Sequence, residues 1–275
     1  MQIGIGLPNT VPGVDRDVLL DWARRAEAGP FSTGAVLDRL VYDSIEPFAA
    51  LSAAAAVTER IRLATMIAIG PLRSTALLAK QVAAVQALAG PGRFTLGLGV
   101  GARRDDYEVA GAAHGRRGAV LSEQLAYLRS GRGDEIGAAG DGLHLLVGGG
   151  SGPAFARMAR YADGYAHGGG PPRAFASAAT RAQAAWRDFG RPGRPALWGQ
   201  AYFALGDPDR GAAYLRDYYA FTGGFAETIA AANLSSARAV RDLIRGYAAE
   251  GCDELVLLPT VADPAEVDRL AEVIA

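Results

Sequence analysis

The segment from Val57 to Gly101, VTERIRLATMIAIGPLRSTALLAKQVAAVQALAGPGRFTLGLGVG, restricts the possible fold more than any other part of this chain. Ile61–Ile69 is a long apolar run, suited to a strand buried on both faces of a sheet. Leu78, Val82, Val85 and Leu88 follow at helical spacing and predict one apolar helix face. Pro91 and Gly92 close that helix, and Phe94–Val100 reads as a second buried strand. Two such strands joined by a helix must run parallel, and a parallel sheet needs helices covering it.

The alternation continues from end to end. Strands are expected at Gln2–Gly6, Thr33–Leu37, Ile61–Ile67, Phe94–Gly99, Leu143–Val147, Gly164–His167, Ala196–Leu205 and Glu254–Leu258. Between them, helices are expected at Val14–Ala28, Glu46–Val57, Gly115–Arg129, Gly152–Ala162, Pro172–Phe189, Pro208–Phe221, Ser236–Glu250 and Pro264–Ile274, besides the one already described. Asp43 or Ser44 would cap the helix at Glu46–Val57. Eight strand–helix steps, with one extra helix before the last strand, predict a single (β/α)8 barrel domain over residues 1–275. Such barrels occupy about 250 residues. Ser130–Asp141 (SGRGDEIGAAGD) is the one clearly loop-like segment. The rival fold, a dinucleotide-binding sheet, wants G-x-G-x-x-G after the first strand. Here that place holds Gly4-Ile5-Gly6-Leu7-Pro8-Asn9, with no third glycine and no helix opening.

Composition excludes several functions. The net charge of −1 argues against a nucleic-acid partner. Cys252 is the single cysteine, so neither a disulfide framework nor a cysteine metal site is available. No apolar run approaches the ~20 residues of a membrane span. The opening MQIGIGLP enters a strand directly, without a leader pattern. These features predict a soluble, cytoplasmic protein.

In a parallel barrel, ligands sit at the C-terminal ends of the strands. The turn Gly148-Gly149-Gly150-Ser151-Gly152-Pro153 stands there, between a strand and a helix. Glycines admit close backbone approach, Pro153 suits a first helical turn, and the helix N-terminus favours an anion such as phosphate. A tight turn with a serine cap would carry the same residues. Gly97, Gly99 and Gly101 end the fourth strand, where glycines also relieve crowding; Arg103, Asp105, Asp106 and Tyr107 follow. Asp38 and Arg39 end the second strand, as a polar ligand contact or an Asp–Arg pair. Of the three histidines, His144 lies inside a strand, whereas His167 ends one and is the best placed to face a ligand. The histidine spacing offers no metal motif.

Four stretches, EPFAALSAAAAVTERIRLAT, PLRSTALLAKQVAAVQALAGPGRFTLGLGVGARRDDYEVAG, LLVGGGSGPAFARMARYADGY and ELVLLPT, resemble the luciferase-like flavin-dependent oxidoreductases, the bacterial luciferase superfamily. The resemblance implies a (β/α)8 barrel, often a homodimer, with FMN or the deazaflavin coenzyme F-420 at its mouth. It implies a phosphate site at Gly149, Gly150, Ser151 and Gly152, and a non-prolyl cis peptide at the end of strand three, Thr65-Met66-Ile67, expected between Met66 and Ile67. Gly99, Gly101, Arg103 and Tyr107 would flank the ring system. With reduced FMN and oxygen the protein would be a monooxygenase. With F-420 it would transfer hydride, and without turnover it would be a flavin-binding barrel. A separate flavin or F-420 reductase is a further implied partner. Relatives carry a histidine near the end of strand two; Asp38-Arg39 stands there instead, leaving Asp38 and His167 as candidate catalytic groups. The long insertion that relatives carry before strand five is a short stub here.

Overall fold

The computed structural model describes residues 1–130 and 142–275. Its strands are β1 (Gln2–Gly6), β2 (Thr33–Val36), β3 (Arg62–Thr65), β4 (Ala68–Ile69), β5 (Phe94–Gly99), β6 (His144–Gly148), β7 (Gly164–Ala166), β8 (Ala196–Phe203) and β9 (Glu254–Pro259). They pair in parallel in the order β3-β2-β1-β9-β8-β7-β6-β5-β4, and β3 also pairs with β5, closing the sheet. β3 and β4 are halves of one stave, interrupted at Met66-Ile67, whose peptide bond is cis as expected. The result is the eight-stave (β/α)8 barrel.

Its helices are α1 (Arg16–Ala28), α2 (Pro47–Ala55), α3 (Thr75–Ala89), α4 (Arg104–Val109), α5 (Arg117–Arg129), α6 (Gly152–Tyr161), α7 (Pro172–Asp188), α8 (Pro208–Tyr218), α9 (Phe225–Ala231), α10 (Ala237–Ala249) and α11 (Ala265–Ile274). Strand side chains alternate between two cores. Leu145, Val147 and Tyr165 face outward to the helices, while Leu146, Ala166, Trp198 and Tyr202 fill the barrel. Each fully buried Leu or Val contributes about 1.5–3 kcal/mol, so both layers hold the staves in place.

Several local expectations are corrected. Glu46, not Asp43 or Ser44, caps α2: its carboxylate accepts from Ala49 N–H at 2.8 Å. Asp43 instead accepts from Gly13 N–H. Leu88 is exposed, because ten residues past Leu78 place it about 80° off the buried stripe; Ala79 and Ala89 are buried in α3 instead. Arg104–Val109, for which no helix was expected, forms a short one. α9 is a seven-residue helix too short to show in the periodicity, and α8 ends at Tyr218 rather than Phe221. The expected loop Ser130–Asp141 lies, beyond Ser130, outside the described residues. Among those described, no helix is long and apolar enough to cross a membrane.

Candidate functional site

The C-terminal ends of the staves carry two adjoining hollows. The first, about 310 Å³, is bordered by Gly148, Gly149 and Gly150 after β6, by Tyr165 to Gly169 around the end of β7, and by Met66, Ile67 and Gln200. The second, about 190 Å³, is bordered by Leu37, Ile69, Gly101, Arg103, Tyr218, Tyr219 and Phe221, and again by Met66, Ile67 and Gln200. The three shared residues make one cleft of the two hollows. A larger hollow of about 380 Å³ lies beside the mouth, among Asp38, Glu46, Arg73 and Gln81, and includes neither the glycine turn nor Met66–Ile67.

Ile67 is the wedge between the two halves, and glycines make its seat. A Cβ on Gly99 would stand 2.1 Å from Ile67 Cδ1, and one on Gly148 would stand 2.7 Å from the same atom. Gly99 therefore serves packing here, rather than a ligand contact. Thr65 is likewise occupied within the barrel: its hydroxyl donates to Gly97 O at 2.7 Å and accepts from Gly97 N–H at 2.9 Å.

The glycine turn has the features of an anion seat. Gly149 adopts φ +119°, a conformation open chiefly to glycine. Ser151 caps α6, its hydroxyl accepting from Ala154 N–H at 3.3 Å, and Pro153 occupies the first turn. Gly150 and Gly152 have nothing within 4 Å of where a Cβ would stand. First-turn N–H groups lack intrahelical acceptors, and the helix dipole adds to their pull on an anion. The serine cap of the turn is made, and the space beside Gly150 and Gly152 is open.

His167 borders the first hollow, as its place at the end of a strand led us to expect, but its ring packs against the covering helices. Tyr165 points outward and Ala166 inward, so alternation turns His167 outward again. Its ring lies 5.6 Å from Phe175 and 6.5 Å from Tyr247, both on covering helices, and neither ring nitrogen has a hydrogen-bond partner or solvent contact. Burial lowers its pKa, the Gly169 backbone opposing. His144 sits at the other end of the barrel, beside Thr95 and Trp198. His114 packs edge-on against Tyr107.

Asp38 is bound into the wall rather than free to act as a base. Its carboxylate accepts from Ile69 N–H at 2.8 Å and from Arg73 at 2.6 Å. Burial raises its pKa, with Arg73 opposing. Its arginine partner is Arg73, not the adjacent Arg39. Arg39 lies between the rings of Tyr42 and Tyr218, at 4.8 and 4.7 Å, and pairs with Asp106 at 3.6 Å. Arg103 borders the second hollow but is paired with Asp105 and stacked on Phe221. Tyr107 borders neither hollow: it is buried, and its hydroxyl donates to Val100 O. It braces the β5–α4 turn.

Two residues not singled out in the sequence stand at the site. Gln200 points into the cleft from β8, its amide donating to Gly168 O at 3.3 Å. Tyr219, just after α8, shares a 2.7 Å hydroxyl–hydroxyl hydrogen bond with Tyr202 of β8. The signal for the β8 residues was the alternation of large side chains in WGQAYF, which puts Trp198, Gln200 and Tyr202 on one face. Tyr219 left no such signal. Among the described residues no cluster of metal-ligating side chains occurs.

Comparison with known proteins agrees with this architecture. A family model described as luciferase-like monooxygenase matches residues 1–256. An uncharacterised protein of Mycobacterium tuberculosis is 35% identical over 144 residues, 46% of this chain and 49% of that protein. A second from the same organism is 36% identical over 108 residues, 39% of this chain and 38% of that protein. The matches thus span half or less of these relatives' length. Among solved structures, an F420-dependent secondary alcohol dehydrogenase in complex with an F420-acetone adduct superposes with a TM-score of 0.82 at 18% identity, covering 99% of this chain and 97% of that one. The monooxygenase RslO1 from Streptomyces bottropensis gives 0.74 at 17%, covering 100% and 97%. The oxygenating constituent of a Baeyer-Villiger monooxygenase from Pseudomonas putida, in complex with FMN, gives 0.70 at 15%, covering 100% and 96%. At these identities the superpositions speak for the shared barrel.

Proposed function

The chain belongs to the luciferase-like monooxygenase family, and from that premise we propose that it is an oxidoreductase working with FMN or coenzyme F-420 on a small organic substrate. One observation carries the reading: a glycine turn at a helix N-terminus and an aromatic-walled hollow meet over Met66 and Ile67 in a single cleft. A phosphate-bearing flavin or deazaflavin needs an anion seat, a flat apolar support and a neighbouring place for substrate. When bound, the cofactor supplies two-electron chemistry, with oxygen for FMN and by hydride exchange for F-420.

The residues present fit such a group. Gly149, Gly150 and Ser151 would hold the phosphate through backbone N–H groups and the α6 dipole. Met66, Ile67 and Gln200 border both hollows and would hold the ring system. Leu37, Ile69 and Tyr218, with the more exposed Phe221, would shield the substrate end from water, and a drier site strengthens polar contacts. Asp38 acts at one remove: with Arg73 and Ile69 N–H it fixes the end of β2 against β4.

The test is a fluorescence titration of the full-length protein with FMN and with F-420, each oxidised and reduced. Saturable binding of one is expected, and its identity separates oxygen chemistry from hydride transfer. Gly150→Trp should weaken that binding roughly tenfold or more, about 1.4 kcal/mol, with unfolding unchanged, since the position opens onto free space. Binding of neither cofactor to folded protein would overturn the proposal.

A further inference from the structure

The Tyr202–Tyr219 pair leaves a proton unaccounted for. Each phenol carries one O–H donor. The two hydroxyls share one hydrogen bond of 2.7 Å, and among the described residues neither has another partner. One O–H is therefore without an acceptor. Tyr202 is buried within the barrel, whereas Tyr219 borders the second hollow. If Tyr219 donated inward, the stranded proton would be the buried one on Tyr202, a costly arrangement. The favourable alternative has Tyr202 donating to Tyr219, which frees the Tyr219 proton for the hollow. Burial also raises the pKa of Tyr219, so the hydroxyl stays a donor.

The charges around this hollow are already matched. Arg39 pairs with Asp106, Arg103 with Asp105, and Asp38 with Arg73. An anionic or cationic ligand would find no free counter-charge among them. The remaining wall is largely apolar and aromatic, with Leu37, Ile69, Phe221 and the Tyr218 ring; its other polar groups are neutral, the Gln200 amide and the Tyr218 hydroxyl. A space of about 190 Å³ equals roughly six waters at about 30 Å³ each, enough for a compact ring.

From this geometry we infer that Tyr219, oriented by Tyr202, is a substrate-recognition donor of the cleft, and that the substrate is a small neutral molecule, apolar apart from one carbonyl or hydroxyl oxygen. The inference rests on the oxidoreductase reading for its meaning, since it places substrate beside the cofactor end of the same cleft. Tyr219 is the contacting group, and Tyr202 a positioning residue.

Three ring probes of similar shape test it: cyclohexanone, methylenecyclohexane and cyclohexanecarboxylate, each titrated calorimetrically into the full-length protein with and without the cofactor that binds. Cyclohexanone is expected to bind tightest and the carboxylate weakest. Tyr219→Phe should weaken cyclohexanone about fivefold to tenfold, the worth of one hydrogen bond, and leave methylenecyclohexane unchanged. Tyr202→Phe should cost cyclohexanone less, and the double variant no more than Tyr219→Phe, because the two hydroxyls act as a unit. The inference falls if the carboxylate binds as well as the ketone, if Tyr219→Phe weakens both neutral probes alike, or if no probe binds. Should Tyr219→Phe fail to fold, the ratio of the two neutral probes in Tyr202→Phe decides. A protein that binds neither cofactor but shows the expected ratio keeps the pocket and loses the oxidoreductase reading. One that binds cofactor without that ratio loses this inference alone.

Discussion

The two ends of the barrel treat polar groups in opposite ways. At the N-terminal end, carboxylates repeatedly take the N–H that opens a strand and hold an arginine as well. Asp163 accepts from Leu145 N–H and Arg129, Asp253 from Leu197 N–H and Arg194. Glu27 accepts from the backbone N–H groups of Glu59, Arg60 and Ile61, leading into β3. Inside the barrel Glu254 accepts from Ser32 at 2.8 Å and pairs with Arg62. At the mouth the pairs that exist only fix loops, and capacity is left over: the open glycine turn and the spare O–H of Tyr202–Tyr219. One end is closed by its own hydrogen bonds; the other, where parallel barrels bind their ligands, keeps hydrogen-bonding capacity open.

Mutation should separate the two ends. The largest effect on stability is expected at the closed end. Glu254→Ala leaves Arg62 without its carboxylate and should cost about 3 kcal/mol in urea unfolding, without altering cofactor affinity in the folded protein. This is the mirror image of Gly150→Trp, which should do the reverse. A loss of cofactor affinity in Glu254→Ala would show that the ends are coupled.

A smaller effect is expected at Glu27, where Glu27→Gln should cost about 1 kcal/mol. The three backbone N–H groups hold its pKa below the ordinary 4.5, against the opposing effect of burial. A depressed carboxyl stabilises the fold above its unfolded pKa, and that contribution is lost as pH falls through the folded value. Acid unfolding monitored by circular dichroism should therefore be shallower below about pH 4.5 in Glu27→Gln than in the wild type.

The smallest effect on function belongs to His167. With its ring outside the cleft, His167→Phe should keep cofactor binding within about twofold, RT ln 2 being only about 0.4 kcal/mol. A histidine depressed below 6.5 destabilises the fold as pH drops through its unfolded value, since the unfolded chain then binds the extra proton. The variant should lose part of that acid sensitivity below pH 6.5, while His144 and His114, also depressed, keep the rest. A tenfold loss of cofactor affinity would bring His167 back into the site.

Much of this site was legible because its parts are local. The Gly148–Pro153 run needs only its own backbone and the helix after it, so its spacing marks it directly as a capped turn and a candidate anion seat. The Met66-Ile67 cis bond followed from the family resemblance of a contiguous stretch. Asp38 was legible as a position but not as a role, because its partner Arg73 lies 35 residues away on another element. His167 was legible as a position, at the end of a strand bordering the first hollow, but the packing of its ring against Phe175 and Tyr247 was decided by the covering helices. Tyr202 and Tyr219 escaped notice because an irregular turn after α8 brings them together.

By itself, the sequence determined the alternating strands and helices, hence a parallel sheet long enough to close, and a phosphate-suited turn at its C-terminal edge. Hydrophobic period and glycine placement act over a few residues, so they can be read in order along the chain. Only the tertiary structure decided which polar groups were already satisfied. Hydrogen bonds and ion pairs between distant staves spent Asp38, Arg39 and Thr65, turned His167 away, and left the Tyr202–Tyr219 hydroxyls over the cleft.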